Sequence, residues 1–186
     1  EPQLLLPKPV IWPMPDAEPH LDPQEWLEQA GVLADDPVLM AVGTKAWQKG
    51  FDRLVDWFRE LSPRHPRLQL VIVGLASGAY HGRDQQQDLR QQLLLDPSLR
   101  NRLHFPGPVG NLQQWYERSQ LFVLSSRYEG FPNVLLEAMA SGCCCIAADC
   151  PQGPAELIKD GVNGRLIPEE ASPQIWVEVI DGLLLR

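Results

Sequence analysis

Short apolar runs alternate with helical patterns along most of the chain. Six segments are apolar on nearly all successive positions, and several of them end at a glycine. Runs of this length suit strands that are buried on both faces of a sheet. They cover residues 38–42, 70–73, 103–105, 121–124, 143–148 and 164–167.

Between these runs, apolar residues recur at the i, i+3, i+4, i+7 spacing of one helix face. The pattern appears in segments 51–58, 89–94, 112–116, 134–140 and 173–183, with a short helix at 154–159. Strand and helix alternate about six times without interruption. Parallel strands joined by helical crossovers satisfy this order, so the sequence predicts an α/β fold with a doubly wound, parallel, six-stranded Rossmann-like sheet.

The first residues of the chain differ from the rest in their high proline content. Seven prolines fall within residues 1–23, a density that disfavours a regular helix or a central strand. We therefore predict a Pro-rich interdomain linker or arm over 1–33 and one domain over 34–186. The chain opens at Glu1 rather than at methionine, and we expect it to be a piece of a longer protein.

Composition excludes some classes of protein. The net charge of −8 over 186 residues argues against a general nucleic-acid binder, which needs a basic face. A locally positive pocket can still hold a small phosphorylated ligand. No apolar run approaches the roughly 18 residues of a membrane span, and no basic-then-apolar signal segment opens the chain. We expect a cytoplasmic protein.

The four cysteines are clustered at Cys143, Cys144, Cys145 and Cys150. A disulfide framework would spread its cysteines, and a zinc site would usually show paired Cys-x-x-Cys spacing. Cys143 and Cys145 share a face of the predicted strand, which leaves a metal or redox role open. The favoured interpretation is that they are small apolar fillers of a buried strand in a reducing compartment.

Ligands of doubly wound sheets bind beyond the carboxyl ends of the strands, so a phosphate-binding motif is expected in the loops that follow the strands. The Gly-x-Gly-x-x-Gly fingerprint is absent. The segment 43–49 faintly resembles a Walker loop, but Gln48 stands where glycine is needed and Gly50 follows the lysine. A P-loop NTPase and a dinucleotide dehydrogenase are both disfavoured.

The most informative loop is 126–133, which runs into an apolar helix. Pro132 suits the helix start and Asn133 its cap, so the N–H groups of residues 130–134 would form an anion site. Glu129 and Glu137 would flank it, Glu137 to hold ribose hydroxyls and Glu129 to face a sugar, with Lys49 neutralising phosphate. From spacing alone, capping and solvation explain the two glutamates at least as well.

At this loop the sequence resembles glycosyltransferase family 4. The family's Glu-x7-Glu signature reads E-G-F-P-N-V-L-L-E-A-M-A-S-G from Glu129 to Gly142. Five other loops are similar and fall in family order over roughly 38–168: A-V-G with Q-K-G-F-D, I-V-G, F-P-G, G-P-A-E and D-G-V-N-G. The resemblance implies the C-terminal, nucleotide-sugar-binding half of a GT-B glycosyltransferase.

The resemblance also implies roles for individual residues. Glu137 would hold the ribose, Lys49 the donor phosphates, and Glu129 the sugar hydroxyls and the reacting centre. The remaining substrate-binding candidates are Gly43, Thr44, Lys45, Pro108, Val109, Gly130, Phe131, Pro132 and Asn133. The implied reaction is retaining transfer of a sugar from a nucleotide sugar, with UDP-sugar as the expected donor, to an acceptor hydroxyl. Neither a cofactor nor a metal is expected, because cations and helix dipoles neutralise charge in this family.

Two departures from the family pattern matter. The family commonly has arginine where this chain has Thr44, which leaves Lys45 to substitute or Lys49 to act alone. The N-terminal acceptor-binding domain has no counterpart here, so we expect this segment alone to be inactive. The loop 150–154 is similar to that of members that build surface polysaccharides. Peripheral membrane association of the full-length protein is compatible with this resemblance, at the inner face.

Two rival functions stay open. A GT-B-type sugar-nucleotide epimerase shares the overall fold but would lack the Gly-Phe-Pro-Asn filling of the Glu-x7-Glu loop. A catalytically silent nucleotide-binding or interaction module is compatible with the missing arginine. UDP binding by the segment would separate the silent module from the enzyme.

Overall fold

The computed structural model describes residue 14 and residues 17–76, 79–80, 83–92 and 96–185. Six strands form one parallel sheet: β1 (Val38–Val42), β2 (Gln69–Val73), β5 (Leu103–Gly107), β6 (Leu121–Leu124), β7 (Cys144–Asp149) and β8 (Arg165–Pro168). Their order in the sheet is β5-β2-β1-β6-β7-β8, which confirms the predicted doubly wound α/β sheet. A separate antiparallel pair is formed by β3 (Ala79–Tyr80) and β4 (Arg83–Asp84).

Eight helices surround or flank the sheet within the described ranges. They are α1 (Pro23–Gln29), α2 (Phe51–Leu61), α3 (Gln85–Gln92), α4 (Pro97–Arg100), α5 (Leu112–Arg118), α6 (Asn133–Ala140), α7 (Pro154–Leu157) and α8 (Pro173–Leu184). The predicted short helix at 154–159 ends earlier, at Leu157. The predicted stripe over 89–94 is described only as far as Gln92, and its remainder lies outside the described residues.

The sheet is buried on both faces because alternate residues of each strand point to opposite sides. Leu39 and Ala41 of β1 pack into a core with α2 and α8, while Val38, Met40 and Val42 pack into a second core with α1, α5 and α6. The apolar runs of the sequence are therefore continuous rather than alternating, as predicted.

The strand order reverses between β1 and β6. From β1 the chain adds β2 and β5 on one side, and it then returns to add β6, β7 and β8 on the other. At such a switch point the chain leaves two neighbouring strands towards opposite sides of the sheet. The two loops therefore separate and leave a crevice at the carboxyl ends of the strands. Here they are the loops after Val42 and after Leu124.

The predicted linker contains a helix that the sequence reasoning missed. Asp22 caps α1 by accepting a 2.8 Å hydrogen bond from the Glu25 N–H, and Pro23 occupies the first turn. Leu27 of this helix is fully buried against the second core. The packed structure thus begins near Asp22 rather than at residue 34. Whether the preceding residues link two domains stays a prediction.

Trp26 of α1 packs on this domain itself. Its ring contacts those of Trp115 and His104 edge-on, with centroids 5.8 and 6.2 Å apart. These contacts leave Trp26 half-buried, so this part of the predicted linker packs on the described domain. Trp12 lies outside the described residues.

The cysteines and His104 are accounted for by packing, with one exception. Cys145 and Cys150 are buried free thiols and Cys143 is half-buried, whereas Cys144 is exposed at the start of β7. Burial raises the pKa of Cys143 to about 12. His104 is buried, its ring nitrogen lies 2.9 Å from the Gln69 side-chain oxygen, and burial lowers its pKa to about 4. Within the described ranges, no helix is long and apolar enough to cross a membrane.

Candidate functional site

The loops at the switch point bring Lys49 and Glu129 together. The Lys49 Nζ lies 2.7 Å from the Glu129 Oε1, although the two residues are 80 positions apart in the chain. The Glu129 side chain is only 5% exposed and that of Lys49 17% exposed. Removal of a carboxylate from water is unfavourable unless it is paired, and Lys49 supplies the pairing charge.

Ser126 holds the same carboxylate oxygen. Its buried hydroxyl donates a short hydrogen bond to the Glu129 Oε1. In the described part of the chain, the Glu129 Oε2 has no hydrogen-bond partner. One oxygen of this buried carboxylate is therefore fixed, and the other can accept a hydrogen bond from a ligand hydroxyl.

Two glycines allow the loops to approach each other. A Cβ on Gly43 would lie 2.6 Å from the Lys49 Cγ, so the lysine stem runs directly over this glycine. Gly50 has φ +64°, and a Cβ there would lie 2.0 Å from the Ser125 carbonyl oxygen. Backbone packs on backbone at this point, which only glycine permits.

Polar contacts then join the two loops. The Ser125 hydroxyl donates to the Lys49 carbonyl at 2.7 Å, and an Arg53 Nη2–H donates to the Ser125 carbonyl at 2.5 Å. Arg127 forms a bidentate pair with Asp52 at 2.8 and 2.6 Å. Burial raises the pKa of Asp52, but the hydrogen bonds and charge of Arg127 outweigh it, so that the pKa lies below its ordinary value.

The sequence reasoning missed these supporting residues. Asp52 lies inside the Q-K-G-F-D segment and Arg127 inside the informative loop, but neither had been given a role. Each of the two loops expected at the crevice carries a residue of opposite charge, and this was the sequence feature that could have predicted the pair. Arg127 and Asp52 support the site by tying the first turn of α2 to the loop that carries Glu129.

We expect Asp52→Asn to lower the free energy of unfolding by about 1 kcal/mol, because a partly exposed bidentate pair is lost. The affinity for UDP should fall a few-fold, since the Glu129 loop is less well held. Asp56→Asn is the matched control, because Asp56 pairs with Arg59 within α2 at 2.9 Å and joins no second element. Thermal melts and calorimetric UDP titration check this prediction, and equal effects of the two variants would contradict it.

Glu137 lies on α6 and is half-buried. The Tyr116 hydroxyl donates to its Oε2 at 3.3 Å. Burial raises the pKa of Glu137, and the hydrogen bond from Tyr116 offsets only part of the effect. Burial also raises the pKa of Tyr116 well above its ordinary value, so the phenol stays a donor. Tyr116 is a third residue, after Asp52 and Arg127, that the sequence did not place at the site.

The start of α6 differs from the prediction in one detail. Asn133 is the first helical residue and Pro132 occupies the capping position, where no side chain caps the helix. The prediction that Asn133 caps the helix is therefore wrong by one position, since Pro132 precedes the helix and Asn133 is already part of it. The Asn133 Oδ1 is buried and has no hydrogen-bond partner among the described residues.

The absence of a side-chain cap leaves backbone donors available. Pro132 has no N–H, and the Asn133 N–H donates to the Phe131 carbonyl. The N–H groups of Gly130, Phe131 and Val134 make no hydrogen bond in the described part of the chain. Together with the helix dipole they form a positive end that suits an anion.

The other predicted site residues lie around this centre. Thr44 and Lys45 are exposed. The Lys45 carbonyl accepts a 3.0 Å hydrogen bond from the Lys49 N–H, but no described side-chain contact joins Thr44 or Lys45 to Lys49 or Glu129. Pro108 is exposed after β5, and Val109 is half-buried against the second core. No group of three or more His, Cys, Asp or Glu residues in the described ranges could hold a metal ion. The expectation that neither metal nor cofactor is needed stays a prediction.

Comparison with known proteins gives a consistent picture. Residues 22–186 match the family described as glycosyl transferases group 1. The amylovoran biosynthesis glycosyltransferase AmsD of Erwinia amylovora is 33% identical over 122 residues, which cover 66% of this chain and 32% of that protein. This chain thus spans about a third of the length of that curated relative.

Two solved structures are similar in fold. The Anabaena protein Alr3699/HepE in complex with UDP and glucose superposes with a TM-score of 0.74 at 26% identity, over 87% of this chain and 42% of that one. The C-terminal domain of the group 1 glycosyl transferase LpcC from Francisella tularensis gives 0.71 at 25% identity, over 93% and 85%. The predicted fold, that of the C-terminal half of a GT-B glycosyltransferase, is confirmed.

Proposed function

Because this chain belongs to the glycosyl transferases group 1, we propose that it is the donor-binding domain of a retaining enzyme of glycosyltransferase family 4. The donor is a nucleotide sugar, with UDP as the nucleotide, and a hexosyl group moves to an acceptor hydroxyl. The observation that carries the proposal is the Lys49–Glu129 pair beside the unbonded N–H groups of Gly130, Phe131 and Val134.

The charges of the site suit a diphosphate. The chain as a whole carries −8, so an anionic ligand needs a local source of positive potential. Lys49 provides one cation with three N–H donors, of which one is engaged by Glu129. The lysine can therefore keep this contact while it donates to phosphate, and the α6 N-terminus adds N–H donors without any further side chain.

Glu129 and Glu137 divide the rest of the ligand between them. The unpaired Oε2 of Glu129 can accept from a sugar hydroxyl next to the phosphates, where positive charge develops as the bond to the leaving phosphate breaks. Glu137, about one turn into α6, can accept from ribose hydroxyls with the oxygen that Tyr116 leaves free. Backbone near Pro108 and Val109 is the proposed contact for the base.

The names of two relatives support a proposal for the pathway of the whole protein. AmsD takes part in amylovoran biosynthesis, and a lipopolysaccharide core mannosyltransferase of Rhizobium leguminosarum is 34% identical over 120 residues, which cover 64% of this chain. We propose synthesis of a surface polysaccharide or glycolipid for the whole protein. Most of the acceptor would bind to a second domain, and this segment alone would bind donor without transferring the sugar.

Glu137 gives the proposal a pH test. UDP affinity should fall on acidification at a pH above the ordinary glutamate value of 4.5, because burial raises the pKa of Glu137 and only the carboxylate accepts from both ribose hydroxyls. The phosphate of UDP itself titrates at about pH 6. The Glu137→Gln variant is the control for this second titration, because its UDP affinity still depends on the phosphate but no longer on the Glu137 carboxylate. The difference between parent and variant gives the effect of Glu137.

Calorimetric titration with UDP, GDP and ADP between acid and neutral pH makes this measurement. We expect UDP to bind the parent chain at neutral pH and Glu137→Gln to bind at least about tenfold more weakly, a loss of about 1.4 kcal/mol. The variant should be no less stable than the parent, because a carboxylate with a raised pKa disfavours the folded state above that pKa. Binding of none of the three nucleotides would favour the silent module.

A further inference from the structure

A pocket of about 440 Å³ lies next to the proposed donor site. Its volume falls within the roughly 300–1,000 Å³ of pockets that hold small ligands. The walls come from the loop after β1, from α3, and from Tyr128, the residue that precedes Glu129. The polar and aromatic lining includes Lys45, Trp47, Asp52, Gln85, Asp88, Gln92 and Tyr128.

Two aromatic rings stand exposed at this pocket. Trp47 is 64% and Tyr128 47% exposed, and their ring centroids are 6.3 Å apart. The other described tryptophans are buried or half-buried. Exposed rings of this size mark binding surfaces more often than chance, because their apolar faces gain when a ligand covers them.

Trp47 is exposed but held in place. The guanidinium of Arg127 lies 4.9 Å from its ring centroid, and an Arg127 Nη1–H donates to its carbonyl at 2.5 Å. The same arginine is fixed by its bidentate pair with Asp52. A ring that is already oriented loses little conformational freedom when a ligand stacks on it.

Gln92 contributes an acceptor that lacks a donor. Its Oε1 is buried and makes no hydrogen bond within the described ranges. Gln85 beside it is already satisfied, because its Oε1 accepts from the Ala46 N–H and its Nε2 donates to the Thr44 carbonyl. Gln92 is part of the pocket wall, so a ligand hydroxyl or N–H group that reaches this oxygen would satisfy it.

The charges of the pocket oppose each other. Lys45 brings a cation and Asp88 a carboxylate, while the Asp52 carboxylate is paired with Arg127, so neither a phosphate nor a cation is selected. Aromatic faces with a buried oxygen acceptor suit a neutral ring that has apolar C–H faces and equatorial hydroxyl donors. A pyranose ring has both.

We propose that this pocket binds one pyranose ring of the acceptor glycan. This inference rests on the proposed function, because Tyr128 and Trp47 are carried by the same loops as Glu129 and Lys49. A ring held there would place the acceptor chain beside the donor site, on the domain that binds the nucleotide. The sugar of the donor has the same chemistry, and the experiment must separate the two sources.

The probes are the methyl α-pyranosides of glucose, galactose and mannose, each added at millimolar concentration to ¹⁵N-labelled chain. The indole N–H signal of Trp47, assigned with Trp47→Phe, reports binding. We expect one or more probes to shift it, with and without saturating UDP, and with UDP-glucose present. A probe that binds with UDP but is displaced by UDP-glucose would show that the donor's own sugar occupies the pocket and would overturn the acceptor assignment.

Gln92→Leu is the discriminating variant. It replaces the unsatisfied amide by an apolar side chain of similar size, so it should fold and bind UDP as the parent chain does. Its affinity for the pyranoside should fall roughly fivefold, the effect of one lost neutral hydrogen bond. The proposal is overturned if the indole signal does not move with any pyranoside while UDP still binds, or if Gln92→Leu binds pyranoside as tightly as the parent. Loss of UDP binding in the parent would instead refute the proposed function.

Discussion

Replacing Lys49 by methionine is expected to destabilise the folded chain by about 3 kcal/mol and to weaken UDP binding at least about tenfold. The two effects have different causes. Stability falls because the Glu129 carboxylate, with a side chain only 5% exposed, loses its ion-pair partner but stays buried. Affinity falls because the phosphates lose the cation of the site.

A double variant separates these two causes. Lys49→Met combined with Glu129→Gln has no buried charge, and the Ser126 hydroxyl can still hydrogen-bond to the amide. We expect its free energy of unfolding in urea to recover most of the loss, whereas its UDP affinity stays low. Equal instability of the single and double variants would mean that Glu129 is not paired with Lys49 in the folded protein.

The second large effect concerns Gly50. Its backbone has φ +64°, and a Cβ would lie 2.0 Å from the Ser125 carbonyl oxygen. Gly50→Ala therefore combines an unfavourable backbone conformation with a clash against backbone, which cannot rotate away. We expect a loss of roughly 3 kcal/mol in the free energy of unfolding and weaker UDP binding, because the two site loops must separate.

Gly161→Ala is the matched control for this substitution. Gly161 has a similar φ of +72°, but a Cβ there meets no atom within 4 Å. Its replacement isolates the conformational effect, about 1 kcal/mol, from the clash. Denaturant titrations of both variants give the comparison. If Gly50→Ala were no worse than Gly161→Ala, the close contact of the two loops would be contradicted.

The fold was largely predictable from the sequence for a simple physical reason. Strands buried on both faces need apolar residues at successive positions, and this chain shows six such runs in an alternation with helices. The burial of all five residues of β1 illustrates the point. The carboxyl ends of the strands, and thus the loops that form the site, follow from the same pattern.

The α1 helix could not be predicted in the same way. Its seven residues are too few for a helical period to stand out, and the prolines before it argued for extended chain. What stabilises α1 is the Asp22 cap and the burial of Leu27 on the sheet, and burial depends on the rest of the fold. Tertiary packing commonly overrides local propensity in short helices.

The side-chain pairs within the candidate site could not be predicted from the sequence either. The resemblance placed Lys49 at phosphate and Glu129 at sugar as separate groups, whereas the structure pairs them directly. Tyr116 and Glu137 meet across 21 positions, and Asp52 and Arg127 across 75. These pairs join residues that are far apart in the chain and meet only because the sheet places their strands and loops side by side. The spacing of residues along the sequence does not predict such contacts.

The most direct test of the account is to observe where UDP binds on the folded chain. Amide ¹H–¹⁵N spectra of the labelled protein, recorded during a UDP titration, locate the ligand residue by residue. We predict saturable shifts for Gly130, Phe131 and Val134 and for the loop that contains Lys49, all of them reduced in Glu137→Gln. A folded chain that shows no shifts with UDP would contradict the assignment of this crevice as the donor site. Shifts confined to the separate pocket that is lined by Trp26, Arg100 and His104 would contradict it equally.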